Sequence, residues 1–476
     1  MLENKNGRYK EYFDKIAPSL SSYRKNRSYY WQDIINYCNY YSHEDYSVLE
    51  IGCGTGNLIN GLKARKKTGI DFSSKMLEQA KSNYPAINFI EMDAENLNIN
   101  ETFDLIIISN VIGFVEDVQK VFSELKKIAH PGTKIIVTYY NYFWEPFVKL
   151  AEGIGLKAKT PNQNWLSQAD ICNLLYISGF DVYKTTRRML FPFYIPILSA
   201  LLNKYLAHLP LLKSLNLNTY SFARPLPIDT EETAKNKFSI SIVIPARNES
   251  GNIENAIQRL PVMGKSMEII FIEGNSTDDT WQKIQEIAEK YKHSHNIKIG
   301  QQEGKGKGDA VRKGYSMATG DILMILDADL TVPPEDLPKF YEAIATRKGD
   351  FINGCRLIYP MEKNAMRFLN LLGNKFFSIM FTWLLDQSFK DTLCGTKVIF
   401  REDYLHLIKN RAYFGEFDPF GDYDLIFGAH KLNLKIVELP IRYQERTYGT
   451  TNISRFKHGI LLLRMCLFAA KKIKFY

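Results

Sequence analysis

The sequence predicts an α/β protein of two separate open sheets, one in each half of the 476 residues. Three observations predict it. Short apolar runs alternate with helical spacing in both halves, the signature of parallel strands joined by helices. Several runs stop at a glycine turn or a carboxylate, as strands do when their C-terminal ends face a ligand crevice. Between the halves lies a polar stretch, residues 225–237, without large apolar anchors, which reads as a linker. The expected division is 1–224, linker 225–237, and 238–476, since a chain this long exceeds one ordinary core.

Bulk composition narrows the function. With 45% apolar and 24% charged residues, the chain is a folded globular protein. A net charge of +9 without a Lys/Arg block favours anionic substrates or an anionic membrane surface over nucleic acid. The six scattered cysteines have no C-x-x-C spacing, which argues for a reducing cytoplasmic setting and against structural zinc. The polar N-terminus is no signal peptide, and no apolar run reaches the roughly 18 residues of a spanning helix.

Residues 1–47, rich in Tyr, Arg and Lys, read as a leading helical cover. Residues 46–51 then form a strand ending at Glu50-Ile51, followed by Gly52-Cys53-Gly54-Thr55-Gly56 and a helix expected over 58–66. Such a strand, glycine turn and helix N-terminus lets backbone approach a ligand and aim N–H groups at it. A second strand ends on Asp71, suited to ribose hydroxyls, and a third on Asp93, suited to an adenine amino group. Strands at 103–108 and 133–138 complete the set, with Tyr139, Tyr140, Asn141 and Trp144 beyond the last, either near an acceptor or closing a core.

Glycines spaced G-x-G-x-G, with Glu50 before them, resemble class I S-adenosylmethionine-dependent methyltransferases over about residues 45–185. The resemblance implies a Rossmann-like domain with S-adenosyl-L-methionine as cofactor. It places Glu50 in the binding motif, Gly52, Gly54 and Gly56 at the methionine part, Asp71 at the ribose and Asp93 at the adenine.

The middle segment, residues 189–217, is greasy and proline-broken, with leucines at helical spacing from 199 to 217. Two readings stand side by side: a segment lying in a membrane interface, and a helix packing the domains together.

The second sheet starts at 239–244 and runs into Pro245-Ala246-Arg247-Asn248-Glu249. The next strand, 268–272, ends on Glu273, placed to read a base edge; Gly304-Lys305-Gly306-Lys307-Gly308 then forms a basic turn feeding a helix, suited to a diphosphate. A buried strand, 322–326, ends on Asp327-Ala328-Asp329, two carboxylates suited to Mg²⁺ or Mn²⁺, and Pro333-Pro334 stops it.

These four elements in this order resemble the family 2 glycosyltransferases, an inverting group with a GT-A fold, closest to the dolichol-phosphate mannose synthase branch. The likeness covers 238 to about 460. It implies a nucleotide-diphosphate sugar donor held by Pro245, Arg247, Glu249, Glu273 and Lys307, with metal at Asp329 and Asp327 toward ribose or metal. Arg356 matches a phosphate-binding arginine, and residues 391–397 a loop on the acceptor side. Asp422 matches the general base, or merely orients an acceptor that is already anionic. Thr331 stands where the branch often has a glutamine metal ligand. Asn452 replaces a lysine, leaving Arg446 and Arg455 as diphosphate cations.

The whole resembles bacterial fusions of these two families. It implies sugar transfer to a polyprenyl-phosphate or other lipid-linked acceptor, coupled to methylation of a glycan or lipid. Apolar residues at 366–385 and a basic amphipathic end, 458–476, suit peripheral contact with an anionic membrane on its cytoplasmic face. The rival readings are a first domain that binds S-adenosylmethionine only as a regulator, a soluble enzyme acting on a polysaccharide or small acceptor, and a non-enzymatic scaffold.

Overall fold

The computed structural model describes residues 5–25, 28–154, 160–161, 163–226, 231–358, 368–409, 423–444, 446, 448 and 455–475. Asp422, Asn452 and the side chain of Arg455 lie outside the described set. The chain divides into two compact units, Met1–Leu226 and Pro227–Lys474.

The first unit holds strands β1 (Ser47–Ile51), β2 (Lys66–Asp71), β3 (Asn88–Glu91), β4 (Phe103–Ser109), β5 (Ala129–Tyr140), β6 (Phe180–Arg188) and β7 (Asn218–Pro225). They form one sheet in the order β3-β2-β1-β4-β5-β7-β6. The first five run parallel, and β7 lies antiparallel between β5 and β6. Continuous apolar runs build the middle of the sheet: Leu105 to Ile108 and Ile135 to Ile136 are fully buried. Burying each such side chain contributes roughly 1.5–3 kcal/mol. Strand order reverses between β1 and β4, so a crevice opens at their C-terminal ends.

The second unit holds β8 (Ile240–Ala246), β9 (Met267–Glu273), β10 (Asn296–Gln301), β11 (Ile322–Ile325), β12 (Phe351–Cys355), β13 (Lys397–Phe400) and β14 (Ile436–Pro440). Their order is β10-β9-β8-β11-β13-β12-β14. Strands β8 to β11 are parallel, and β13 runs antiparallel to β11 and β12. The reversal falls between β8 and β11, which places Glu249 and the Asp327–Asp329 turn at one edge.

Local differences from the sequence reading have physical causes. The helix expected over 58–66 is only Asn57–Gly61, because Lys66 must already pair with Ser47 in β2. Strand β10 went unforeseen: it is an edge strand whose Asn, Lys, Gly and Gln break the apolar run. The leucine-spaced segment 199–217 is three short turns rather than one helix, at Ala200–Tyr205, Leu206–His208 and Lys213–Leu215. In the stretch read as linker, β7 extends to Pro225 and a short helix spans Glu231–Ala234.

Candidate functional sites

In the first unit, the turn after β1 is bent by positive φ at Gly52, Gly54 and Gly56. A side chain at Gly52 would overlap Val111, which follows β4 across the crevice, so only glycine fits. The Gly52 and Cys53 amides both donate to the Ile70 carbonyl, at 2.8 and 2.9 Å. Asp71 clamps this turn to the next one. Its Oδ2 accepts from the Gly54 amide at 2.8 Å and its Oδ1 from the Ser73 amide at 2.9 Å. Buried Glu50 accepts the Ile59 amide at 2.9 Å and fixes the helix that follows.

A pocket of about 380 Å³ opens here. Gly52, Asp71 and Asp93 line it together, with Phe72, Met92, Val111, Phe114 and Val115 as apolar walls. Glu50, Gly54 and Gly56 are not in its lining; they hold the turn that shapes it. Asp93 keeps its position through an Asx turn, Oδ1 accepting from the Glu95 amide at 2.9 Å.

Residues that sequence reasoning missed close the mouth. Gly7 and Lys10, on the helix Lys5–Lys25, also line the pocket, and Lys10 Nζ lies 2.7 Å from Glu91 Oε1. Asp14 of the same helix accepts from the Ser73 hydroxyl at 2.6 Å, while Phe13 packs edge-on against Phe72 and Phe114. The only signal in the sequence was the aromatic spacing of Tyr9, Tyr12 and Phe13. Of Tyr139, Tyr140, Asn141 and Trp144, at and just past the end of β5, three have building roles. Tyr139 is buried with its hydroxyl on the Asn164 carbonyl, Asn141 donates to the Ser214 and Asn216 carbonyls, and Trp144 to that of Leu215.

In the second unit, three acids from two strand ends gather with two cations. Lys307 opens the helix Lys307–Met317, and its Nζ lies 2.5 Å from Asp327 Oδ1. Arg446 spans two acids, with Nη2 2.6 Å from Asp329 Oδ2 and Nη1 3.0 Å from Glu249 Oε1. Asp329 Oδ1 also accepts from the Thr331 amide and hydroxyl, at 3.2 and 2.8 Å. Thr331 thus orients Asp329. Burial pushes Glu249 up to about 7, against the pull of Arg446 and Asn252.

Glu273 is buried at the end of β9, accepting from the Ser276 amide at 2.5 Å and from Gln301 Nε2 at 3.1 Å. Pro245 is half-buried in β8 and Arg247 is exposed just after it. Arg356 is closed on Asp391, through Nε and Nη2 at 2.7 Å each. Burial opposes the charge of Asp391, yet that guanidinium holds its carboxyl below the usual range. Arg446 thus lies at the acids flanking β8 and β11, and Arg356 is held by Asp391 of the loop 391–397. From that loop Gly395 presses against Asp327 and Lys307 so closely that a side chain would overlap both. Asp327 and Asp329 carry hard oxygen donors of the kind Mg²⁺ or Mn²⁺ takes, each held here by a cationic side chain.

The fold and the two clusters define an α/β chain of two transferase-type domains. Residues 49–137 match the family model for a methyltransferase domain, and residues 241–408 that for glycosyl transferase family 2. The chain joins a methyltransferase domain to a family 2 glycosyltransferase domain. It is similar to dolichol-phosphate mannosyltransferase of Pyrococcus furiosus, 39% identical over 108 residues, or 22% of this chain and 30% of the relative. It is also similar to undecaprenyl-phosphate 4-deoxy-4-formamido-L-arabinose transferase of Klebsiella pneumoniae, 26% identical over 219 residues, covering 45% of this chain and 62% of that one. The chain thus spans from 30% to 62% of the length of these curated relatives. Among solved structures, a SAM-dependent methyltransferase from Thermotoga maritima aligns at 18% identity and TM-score 0.36, over 44% of this chain and 97% of that one.

Proposed function

We propose that the second domain transfers a sugar, with inversion, from a nucleotide-diphosphate sugar to a polyprenyl-phosphate or other lipid-linked acceptor. The first domain, in the same reading, uses S-adenosyl-L-methionine to methylate a glycan or lipid. The observation that carries the first claim is the cluster Glu249, Lys307, Asp327, Asp329 and Arg446 at the strand edge where nucleotides bind in open α/β sheets. The acceptor class is supported by the relatives' polyprenyl-phosphate substrates, which their names state.

Asp327 and Asp329 would hold a divalent cation, which supplies charge neutralisation for the departing nucleoside diphosphate. Lys307 and Arg446, freed from their carboxylates, bind the same phosphates and lower the cost of the charge that develops there. Glu273 faces the base, with Pro245 and Arg247 beside the donor, and Arg356 acts by bracing the acceptor loop. Asp422 takes the proton from an acceptor hydroxyl, or only orients the acceptor when it is a phosphate. In the first domain, Gly52 meets the methionine part, Asp71 the ribose and Asp93 the adenine, with Glu50, Gly54 and Gly56 holding the turn. Methyl transfer then depends chiefly on alignment. Among the described residues no helix is long and apolar enough to cross a membrane, and the reading is of peripheral contact with an anionic cytoplasmic leaflet.

The test is release of nucleoside diphosphate from a panel of nucleotide sugars with Mg²⁺ or Mn²⁺, with polyprenyl phosphate added or withheld. One donor should turn over only when the lipid phosphate is present, and Asp329→Ala should abolish it. No release from any donor would overturn the reading.

A further inference from the structure

The first domain carries an apolar rim that its fold leaves uncovered. None of the described side chains of the helix Glu145–Gly153 is buried. Phe143, Phe147, Leu150 and Ile154, spaced four, three and four residues apart, are each at least half exposed. An amphipathic helix ordinarily turns such a stripe to the core. Beyond β6, residues 193–198 are exposed at six consecutive positions, Ile197 86% exposed, and Leu211 farther on is 91% exposed.

The two segments are one built surface. Asn218 at the start of β7 pairs with both Tyr140 and Arg188, so the segments leave the same edge of the sheet. Trp144 Nε1 donates to the Leu215 carbonyl at 2.7 Å and Asn141 Nδ2 to the Ser214 carbonyl at 2.9 Å. That edge is the C-terminal one, where the pocket of Gly52, Asp71 and Asp93 also opens. Between 193 and 217 the only Lys, Arg, Asp or Glu residues are Lys204 and Lys213, neither of them buried.

We propose that this rim docks on an anionic phospholipid bilayer. Phe143, Phe147, Tyr194, Ile197 and Leu211 enter the boundary between headgroups and acyl chains, and Lys204 and Lys213 meet lipid phosphates. In the helix Glu145–Gly153, Glu145 is paired with Lys149 and Glu152 accepts from the Thr160 hydroxyl at 2.7 Å, so the charge that 193–217 adds to the rim is cationic, which favours an anionic bilayer over a second apolar protein face. Resting on the reading of this domain as a methyltransferase, the docking makes the methyl acceptor a lipid-linked molecule presented at headgroup level.

The experiment is co-sedimentation of the full chain with vesicles of phosphatidylcholine alone or mixed with phosphatidylglycerol. Binding should be stronger with phosphatidylglycerol and weaken with salt. Ile197→Asp with Leu211→Asp should lower the partition coefficient about tenfold or more, with S-adenosylmethionine affinity and thermal midpoint unchanged. A double variant that partitions like the wild type overturns the proposal. So does sedimentation velocity showing a wild-type dimer that the substitutions dissociate while neither form binds vesicles. S-adenosylmethionine binding, measured by calorimetry without lipid, separates the two claims: vesicle binding without it keeps the docking surface and removes the lipid-linked methyl acceptor.

Discussion

Arg446 bridges Asp329 and Glu249, at 2.6 and 3.0 Å, and so one guanidinium links the turn after β11 to the turn after β8. Without it, two carboxylates from neighbouring strand ends would face each other unneutralised. Arg446→Ala should therefore act in opposite directions on metal and on donor. Metal affinity, read by calorimetry, should rise, because Asp329 loses its competing cation. Donor turnover should fall by about 10²- to 10³-fold, the usual cost of removing one preorganised charge from a reacting phosphate. Burial already pushes Glu249 up to about 7, and losing Arg446 should raise it further.

Asp71 ties the glycine turn to the Ser73 turn, with one oxygen for each backbone amide. Asp71→Ala leaves both amides without their acceptor at a site only 8% exposed. It should cost about 1–3 kcal/mol of stability and abolish S-adenosylmethionine binding. Asp71→Asn keeps one acceptor oxygen and should recover part of the stability without the affinity. Urea unfolding and calorimetry on both variants separate the two roles.

Both sites were legible where the residues that make them sit at strand ends, since a strand, its terminal acid and its turn are contiguous in sequence. Gly52, Asp71 and Asp93 converge on one pocket for that reason. Contacts made by folding at a distance were not legible. Lys10 meets Glu91 across 81 positions and Arg446 meets Asp329 across 117, and nothing local marks either pair. Arg356 shows the same limit: a motif marks it as a phosphate arginine, and nothing local in the sequence marks Asp391, 35 positions on, which binds its Nε and Nη2. The leucine spacing of 199–217 predicted a helix, yet Asn203 and Asn216 bind backbone groups outside their own turns. Asn203 Oδ1 accepts the Leu190 and Phe191 amides, and Asn216 Nδ2 donates to the Ala207 and Arg187 carbonyls. Side-chain amides of this kind compete with helical hydrogen bonds.

Glu268 should govern part of the acid unfolding of the second domain. Burial opposes its charge, but hydrogen bonds from Lys298, Ser241 and Thr319 lower it from 4.5 to about 2. A carboxyl depressed in the folded state stabilises the fold above its unfolded value, and this contribution disappears as pH falls from about 4.5 toward 2. Urea midpoints should drop through that window in the wild type. In Glu268→Gln the profile should be flatter and the midpoint at neutral pH lower. An unchanged slope in the variant would reassign the acid sensitivity to other groups.

Gly395 offers a way to disturb the donor cluster without touching its charges. A Cβ there would overlap Asp327 Oδ2 and Lys307 Nζ, which are themselves paired at 2.5 Å. Both are ends of side chains, so they can move aside while β11 and β13 stay in register. The displacement takes Asp327 and Lys307 out of the positions that would receive metal and diphosphate. Gly395→Ala should therefore raise the KM for the nucleotide sugar about tenfold and shift the thermal midpoint little. A large loss of thermal stability with KM unchanged would mean that the close approach of this loop serves packing and not the donor.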